Sequence, residues 1–191
     1  MTFPSNARRT ENREHERRTT KDENTRMTED ERWMEYALKE AEQAHKRNEV
    51  PIGAVVIMQN RIIGRGYNQI ESLQDPTAHA EIIAITAAAT HTGSRRLDQC
   101  TMYVTLEPCT MCAGAIVLAR IPRLVFGALD PKAGACGTLY NIVNDVRLNH
   151  RVETVDGVLV ERCSEILKEF FAKVRTGGAA KPEGPQRTNS N

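Results

Sequence analysis

Thr101-Met102-Tyr103-Val104-Thr105-Leu106-Glu107-Pro108-Cys109-Thr110-Met111-Cys112 begins as a strand and ends as a helix. Met102 to Leu106 carries apolar, β-branched and aromatic side chains, which suit a pleated, buried surface. Pro108 lacks the N–H that a first helical turn leaves unbonded anyway, so it marks the first turn of an apolar helix over Cys109 to Arg120. The next strand is Leu124 to Ala128, and a helical crossover of this kind joins parallel strands. Upstream, Ala78 to Thr92 holds Ile82, Ile83, Ile85 and a run of alanines, and reads as a second buried helix.

Further outward, Thr28 and Glu31 form a capping box that opens an amphipathic helix over residues 29–48, with Met34, Ala37, Leu38, Ala41 and His45 at helical spacing. Gly53 to Met58 and Ile62 to Tyr67 flank a Gln59-Asn60-Arg61 turn, which makes them a hairpin. Val152 to Val155 is a short fifth strand, and Ser164 to Val174 a closing helix with Ile166, Leu167, Phe170 and Phe171. The order predicts an α/β or α+β sandwich with one mixed five-stranded sheet, parallel from the third strand onward, and helices on both faces. Ligands in such sheets sit at the carboxyl ends of the strands, where both helix-opening motifs fall.

The 191 residues include 26 Lys and Arg against 25 Asp and Glu. Residues 1–28 hold 7 of those basic and 5 of those acidic groups with four apolar side chains, too few to offset ordering entropy, and read as a disordered charged leader. Residues 176–191 read as a disordered tail. Residues 29–175 form the single domain, slightly acidic at 17 basic against 19 acidic groups, so bulk charge predicts no nucleic-acid partner. Activity is expected of a chain beginning near Met27. No apolar run approaches the ~20 residues that span a bilayer, and no apolar segment follows Met1. Five sparse cysteines do not make a disulfide scaffold, so a reduced cytoplasmic protein is expected.

The chemistry lies in His79-Ala80-Glu81 and Pro108-Cys109-Thr110-Met111-Cys112. Cys109 and Cys112, three apart at the start of a helix, face one way and can grip one ion. With His79 they make three ligands, whereas structural zinc sites use four. A zinc with three protein ligands keeps a position open for water, which is the arithmetic of a hydrolase. Glu81, beside that water without binding the metal, would take its proton and return it elsewhere. A redox dithiol reading of Cys-x-x-Cys leaves His79 and Glu81 unexplained.

These motifs, a His-x-Glu followed by Pro-Cys-x-x-Cys, resemble those of the zinc nucleobase deaminases of cytidine-deaminase fold. The flanking segments Val50-Pro51-Ile52-Gly53-Ala54, Tyr67-Asn68, Asp75 to Glu81, Thr105 to Cys109, Phe126-Gly127-Ala128 and Asn149-His150-Arg151-Val152 narrow the resemblance to the bacterial tRNA-specific adenosine deaminase family, from about Trp33 to Val174. It implies a three-layer α/β/α sandwich, one Zn2+ per subunit on His79, Cys109 and Cys112, and a homodimer. It also implies hydrolytic deamination of adenosine to inosine at the wobble position of a tRNA anticodon, the arginine tRNA above all, with attack at C6 and Glu81 as proton shuttle. Asn68 would hydrogen-bond the base. Val50, Pro51, Ala80 and the Leu106-Glu107-Pro108 segment would wall its pocket, Asp130 and Lys132 would meet anticodon nucleotides, and Phe171, with Phe170, would flank the strand. Lys132, Arg147, Lys168 and Arg175 are the basic residues expected to face RNA. Leu129 and Pro131 depart from the family's usual residues. A guanine or pyrimidine-nucleotide deaminase shares the zinc motifs, and a non-catalytic zinc or RNA-binding module would leave Glu81 idle.

Overall fold

The computed structural model describes residues 27–177. The expected leader and tail therefore lie outside the described residues, apart from residues 27–28 and 176–177. Ten elements follow in order: α1 (Glu29–Lys46), β1 (Gly53–Met58), β2 (Arg61–Tyr67), α2 (Ile70–Leu73), α3 (Ala80–Thr92), β3 (Thr101–Leu106), α4 (Thr110–Leu118), β4 (Arg123–Ala128), β5 (Glu153–Val155) and α5 (Val160–Arg175).

The sheet order is β2-β1-β3-β4-β5. β1 is antiparallel to both β2 and β3, whereas β3, β4 and β5 are parallel. This is the expected mixed sheet. Side chains alternate across it: Ala54, Val56, Met102, Val104, Leu124 and Phe126 pack under α3 and α4, while Val55, Ile57, Tyr103 and Val125 meet α1 and the start of α5. The result is an α/β/α sandwich with a core on each face.

Local chemistry explains the elements. The Thr28–Glu31 capping box is formed, and Trp33, Met34, Ala37, Leu38, Ala41 and Ala44 are the buried stripe of α1. Gln59 and Asn60 both take positive φ, the requirement of a two-residue hairpin turn. α3 buries alanines where a larger helix face would not fit: a Cβ on Gly66 would lie 2.2 Å from the Ala80 carbonyl oxygen. That close approach seats the end of β2 against the first turn of α3.

Three expectations need correction. The Ala78–Thr92 helix begins at Ala80, and the Cys109–Arg120 helix spans Thr110–Leu118, because His79 and Cys109 are extended N-caps (ψ 153 and 176). Pro108 thus precedes the helix rather than opening it; its carbonyl accepts from the Ala135 N–H. The last helix starts at Val160, four residues earlier than its apolar periodicity suggested, and α2 was not expected at all.

Candidate active site

Both motif-bearing helices point their N-termini to one place. The turn before α3 is set by Asp75, whose Oδ1 accepts from the backbone N–H and hydroxyl of Thr77. Ala78 accepts from the Gln69 N–H at 2.9 Å, which ties the end of the hairpin to the residue before His79. An N-cap side chain ordinarily folds back on its own helix, but those of His79 and Cys109 make no capping bond. They are free to meet across the gap. His79 Nδ1 lies 3.8 Å from Cys109 Sγ and 3.6 Å from Cys112 Sγ. Cys109 is not on the helix with Cys112 as the sequence suggested. N-cap and third helical position nevertheless share one side, as in a capping box.

The three donor atoms lie within 4.8 Å of one another, the only such group of metal-binding type among the described residues. One imidazole nitrogen and two sulfurs are a donor set suited to zinc, and three of them leave a tetrahedral corner open. The residues present therefore fit that ion. Hydrogen bonds with Cys112 and then His79 draw the Cys109 thiol down to about 3, so a thiolate forms here readily. Its bond to Cys109, then burial, pushes the Cys112 thiol up.

Glu81 occupies the second helical position of α3 and is 4% exposed. Burial pushes its carboxyl up to about 7, partly offset by its own backbone N–H and by His79. It lies within hydrogen-bond reach of Cys112. A carboxyl that exchanges its proton near neutrality beside a metal site can serve as a general acid and base.

The expected substrate residues fall into separate groups. Ala80 and Pro108, both buried, adjoin the cluster. Val50, Asp130, Lys132 and Phe171 line a different feature, a groove of about 590 Å³ that also includes Leu129, Lys168 and Arg175. None of the metal-site side chains lines it. Asp130 holds its own turn, its Oδ1 accepting from the N–H groups of Lys132 and Ala133. Phe171 is 44% exposed, whereas Phe170 is buried edge-on against His45. Pro51 is buried beside Val50. Of the four basic residues, Lys132, Lys168 and Arg175 share the groove; Arg147 pairs with Asp145 elsewhere.

Two buried carboxylates have roles the sequence did not show: Glu107, expected only as part of the pocket wall, and Glu49, not expected at the site at all. Glu107 accepts from the N–H groups of Asp130, Cys136 and Thr138 and from the Thr138 hydroxyl, fixing the loop over Cys109. Burial opposes its charge, but these bonds together hold its carboxyl below the ordinary range. Glu49 plays the same part for the loop after β2, and Asn68 donates to it. In the sequence each is one glutamate before an ordinary turn, with no spacing that marks it.

A family model of MafB19-like deaminases matches residues 28–175. The chain is 50% identical over 149 residues to the tRNA-specific adenosine deaminase of Bacillus subtilis (strain 168), covering 78% of this chain and 92% of that protein. It is 51% identical over 147 residues to the tRNA-specific adenosine deaminase of Haemophilus influenzae, covering 76% and 85%. A solved structure from a study of A-to-I editing by tRNA:A34 deaminases at the wobble position of transfer RNA is 46% identical, with a TM-score of 0.69 over 71% of this chain and 99% of that one. With His79, Glu81, Cys109 and Cys112 gathered at one point and half of the domain's residues shared with such relatives, the chain belongs to the MafB19-like deaminases and, within them, to the tRNA-specific adenosine deaminase family.

Proposed function

We propose that this chain hydrolyses adenosine to inosine at the wobble position of a tRNA anticodon, using one zinc ion per subunit of a cytoplasmic homodimer. The observation that carries the reading is the buried Glu81 beside a cluster of three ligand atoms from His79, Cys109 and Cys112, one fewer than a structural zinc site uses. The relatives' activity on tRNA supports the substrate. The free state of all five cysteines agrees with a reducing compartment.

His79, Cys109 and Cys112 would hold the zinc, which when bound lowers the pKa of a water to about 7 and so supplies a nucleophile at neutral pH. Glu81 takes the proton of the attacking water, passes it to the ring nitrogen, and assists the C6 amine to leave as ammonia. One water is consumed and one ammonia released for each inosine formed. Asn68 orients the base, Ala80 and Pro108, which adjoin the metal cluster, wall it on that side, and Val50 and Pro51 carry the wall toward the groove that Val50 lines. Unpaired anticodon bases can be splayed into such a pocket. The groove lined by Lys132, Lys168, Arg175 and Phe171 offers cations to the phosphates and one aromatic face for stacking, with Asp130 at the turn.

The test is to incubate the protein with an unmodified arginine tRNA transcript, free guanine and deoxycytidylate, and to measure inosine and ammonia. Inosine in the tRNA is the expected result. Ammonia from guanine or deoxycytidylate alone would transfer the activity to a base or nucleotide substrate, and no ammonia from any of them would favour a binding module.

A further inference from the structure

Glu49 is 1% exposed and has four hydrogen-bond donors around it, all of them uncharged. Its Oε1 accepts from the backbone N–H and the hydroxyl of Ser72, each at 2.6 Å. Its Oε2 accepts from the Glu71 N–H at 3.2 Å and from Nδ2 of Asn68 at 3.3 Å. Asn68 is itself 2% exposed, and its backbone N–H is bound to the Ile52 carbonyl. The next residue, Gln69, binds the carbonyl of Ala78, one residue before His79. Asn68 thus stands on a rigid corner beside the metal-binding helix.

A carboxylate has no proton to give, so an amide packed against it must present its NH2 group and not its oxygen. The orientation of the Asn68 amide is therefore dictated by chemistry. One Nδ2 proton is consumed by Glu49, and the Oδ1 acceptor and the second Nδ2 proton remain for a ligand. A free asparagine amide would sample both orientations and would offer a base edge the wrong pattern half of the time. We propose that Glu49 is a positioning residue for base recognition: it locks the Asn68 amide so that one acceptor and one donor, in fixed order, face the purine. The proposal rests on the reading that Asn68 contacts the base. Glu49 also binds the two N–H groups that open α2, so the same carboxylate fixes the loop carrying the amide and the amide itself.

The experiment uses the zinc-loaded, full-length, 15N-labelled protein. In the wild type, one of the two Asn68 Nδ2 protons should be shifted downfield of the other and exchange slowly with water; in Glu49→Gln the two should converge and exchange faster. On an anticodon stem-loop RNA, Glu49→Gln and Asn68→Ala should each raise KM about tenfold, the scale of one well-placed hydrogen bond. The double variant should lose little more than either alone, because Glu49 acts through Asn68. A merely structural glutamate would change the melting temperature and leave the two KM effects to multiply. Multiplying effects, or an Asn68 signal unchanged in Glu49→Gln, would overturn the proposal. Where Glu49→Gln fails to fold, rapid exchange of both Asn68 amide protons in the wild type would overturn it. Wild-type protein with the expected Asn68 signals but no RNA turnover would support the Glu49–Asn68 lock and remove the adenosine reading instead.

Discussion

The Nδ1 atom of His79 stands 3.6 Å from the Sγ of Cys112 across 33 residues of chain. One ligand comes from the N-cap of α3 and two from the start of α4, so an ion held there bridges the two helices on one face of the sheet. Cys112→Ala should release the metal, taking the ratio from about one per chain to below about a tenth. It should also lower the melting temperature by roughly 5–10 °C, since several kcal/mol of binding is lost at 2–4 °C per kcal/mol. Elemental analysis and thermal unfolding check both, and treatment of the wild type with a strong chelator should reproduce the shift.

In the proposed mechanism Glu81 moves protons and does not bind the ion, so its removal should separate the two roles. Glu81→Gln keeps the size of the side chain and loses only the proton-transfer group. Turnover should fall by about 10²–10⁴, the usual worth of a positioned acid and base. Metal content should stay at the wild-type level. Retained turnover would show that the proton takes another route.

The architecture was legible because it is written in local patterns: the capping box at Thr28, the run of apolar, aromatic and β-branched residues in β3, the alanine-rich α3. The three candidate ligands were legible for a similar reason, since two short motifs carry them, His79 in the first and Cys109 with Cys112 in the second. What escaped notice depends on contacts between distant residues. α2 has four residues and no periodicity, and its N–H groups are bound by Glu49, 22 and 23 residues upstream. Glu107 reaches Cys136 and Thr138 across 29 and 31 residues. No window of sequence contains both partners, so neither carboxylate announces its role. The ends of α3 and α4 slipped by one or two residues because helix pattern does not distinguish an extended N-cap from a first helical residue.

Glu107 holds the loop from Asp130 to Thr138 through acceptors alone. Glu107→Gln would turn an NH2 group toward N–H donors and leave at least one of them unbonded, a cost of about 1–3 kcal/mol. A drop of roughly 2–10 °C in melting temperature should follow. The backbone amides of Cys136 and Thr138 should lose protection from hydrogen exchange, while those of β1 keep theirs. Gly134→Ala should act in the same direction, because its Cβ would lie 2.3 Å from Glu107 Oε2 and 2.6 Å from the Asp130 carbonyl.

At the opposite end of the sheet, Asp30 in the first turn of α1 accepts two hydrogen bonds from Arg123, at 2.9 and 2.8 Å, and a third from the Tyr103 hydroxyl at 2.8 Å. The Arg123 bond, against the opposing effect of burial, holds the Asp30 carboxyl below its ordinary value of 3.8. The native state therefore binds this proton less readily than the unfolded chain does, and the ionised pair stabilises the fold at every pH above that ordinary value. As pH falls through the depressed native value the carboxylate is protonated and the contribution disappears. About a quarter of each side chain remains in water, so solvent reduces the effect to roughly 1–2 kcal/mol. Asp30→Asn should lower the melting temperature by roughly 2–8 °C at pH 7. The gap should be constant well above the ordinary carboxylate value, narrow as pH falls below it, and close once the depressed native value is passed. A gap that widened on acidification would show that the carboxyl is held protonated in the native state, which the two bonds from Arg123 oppose.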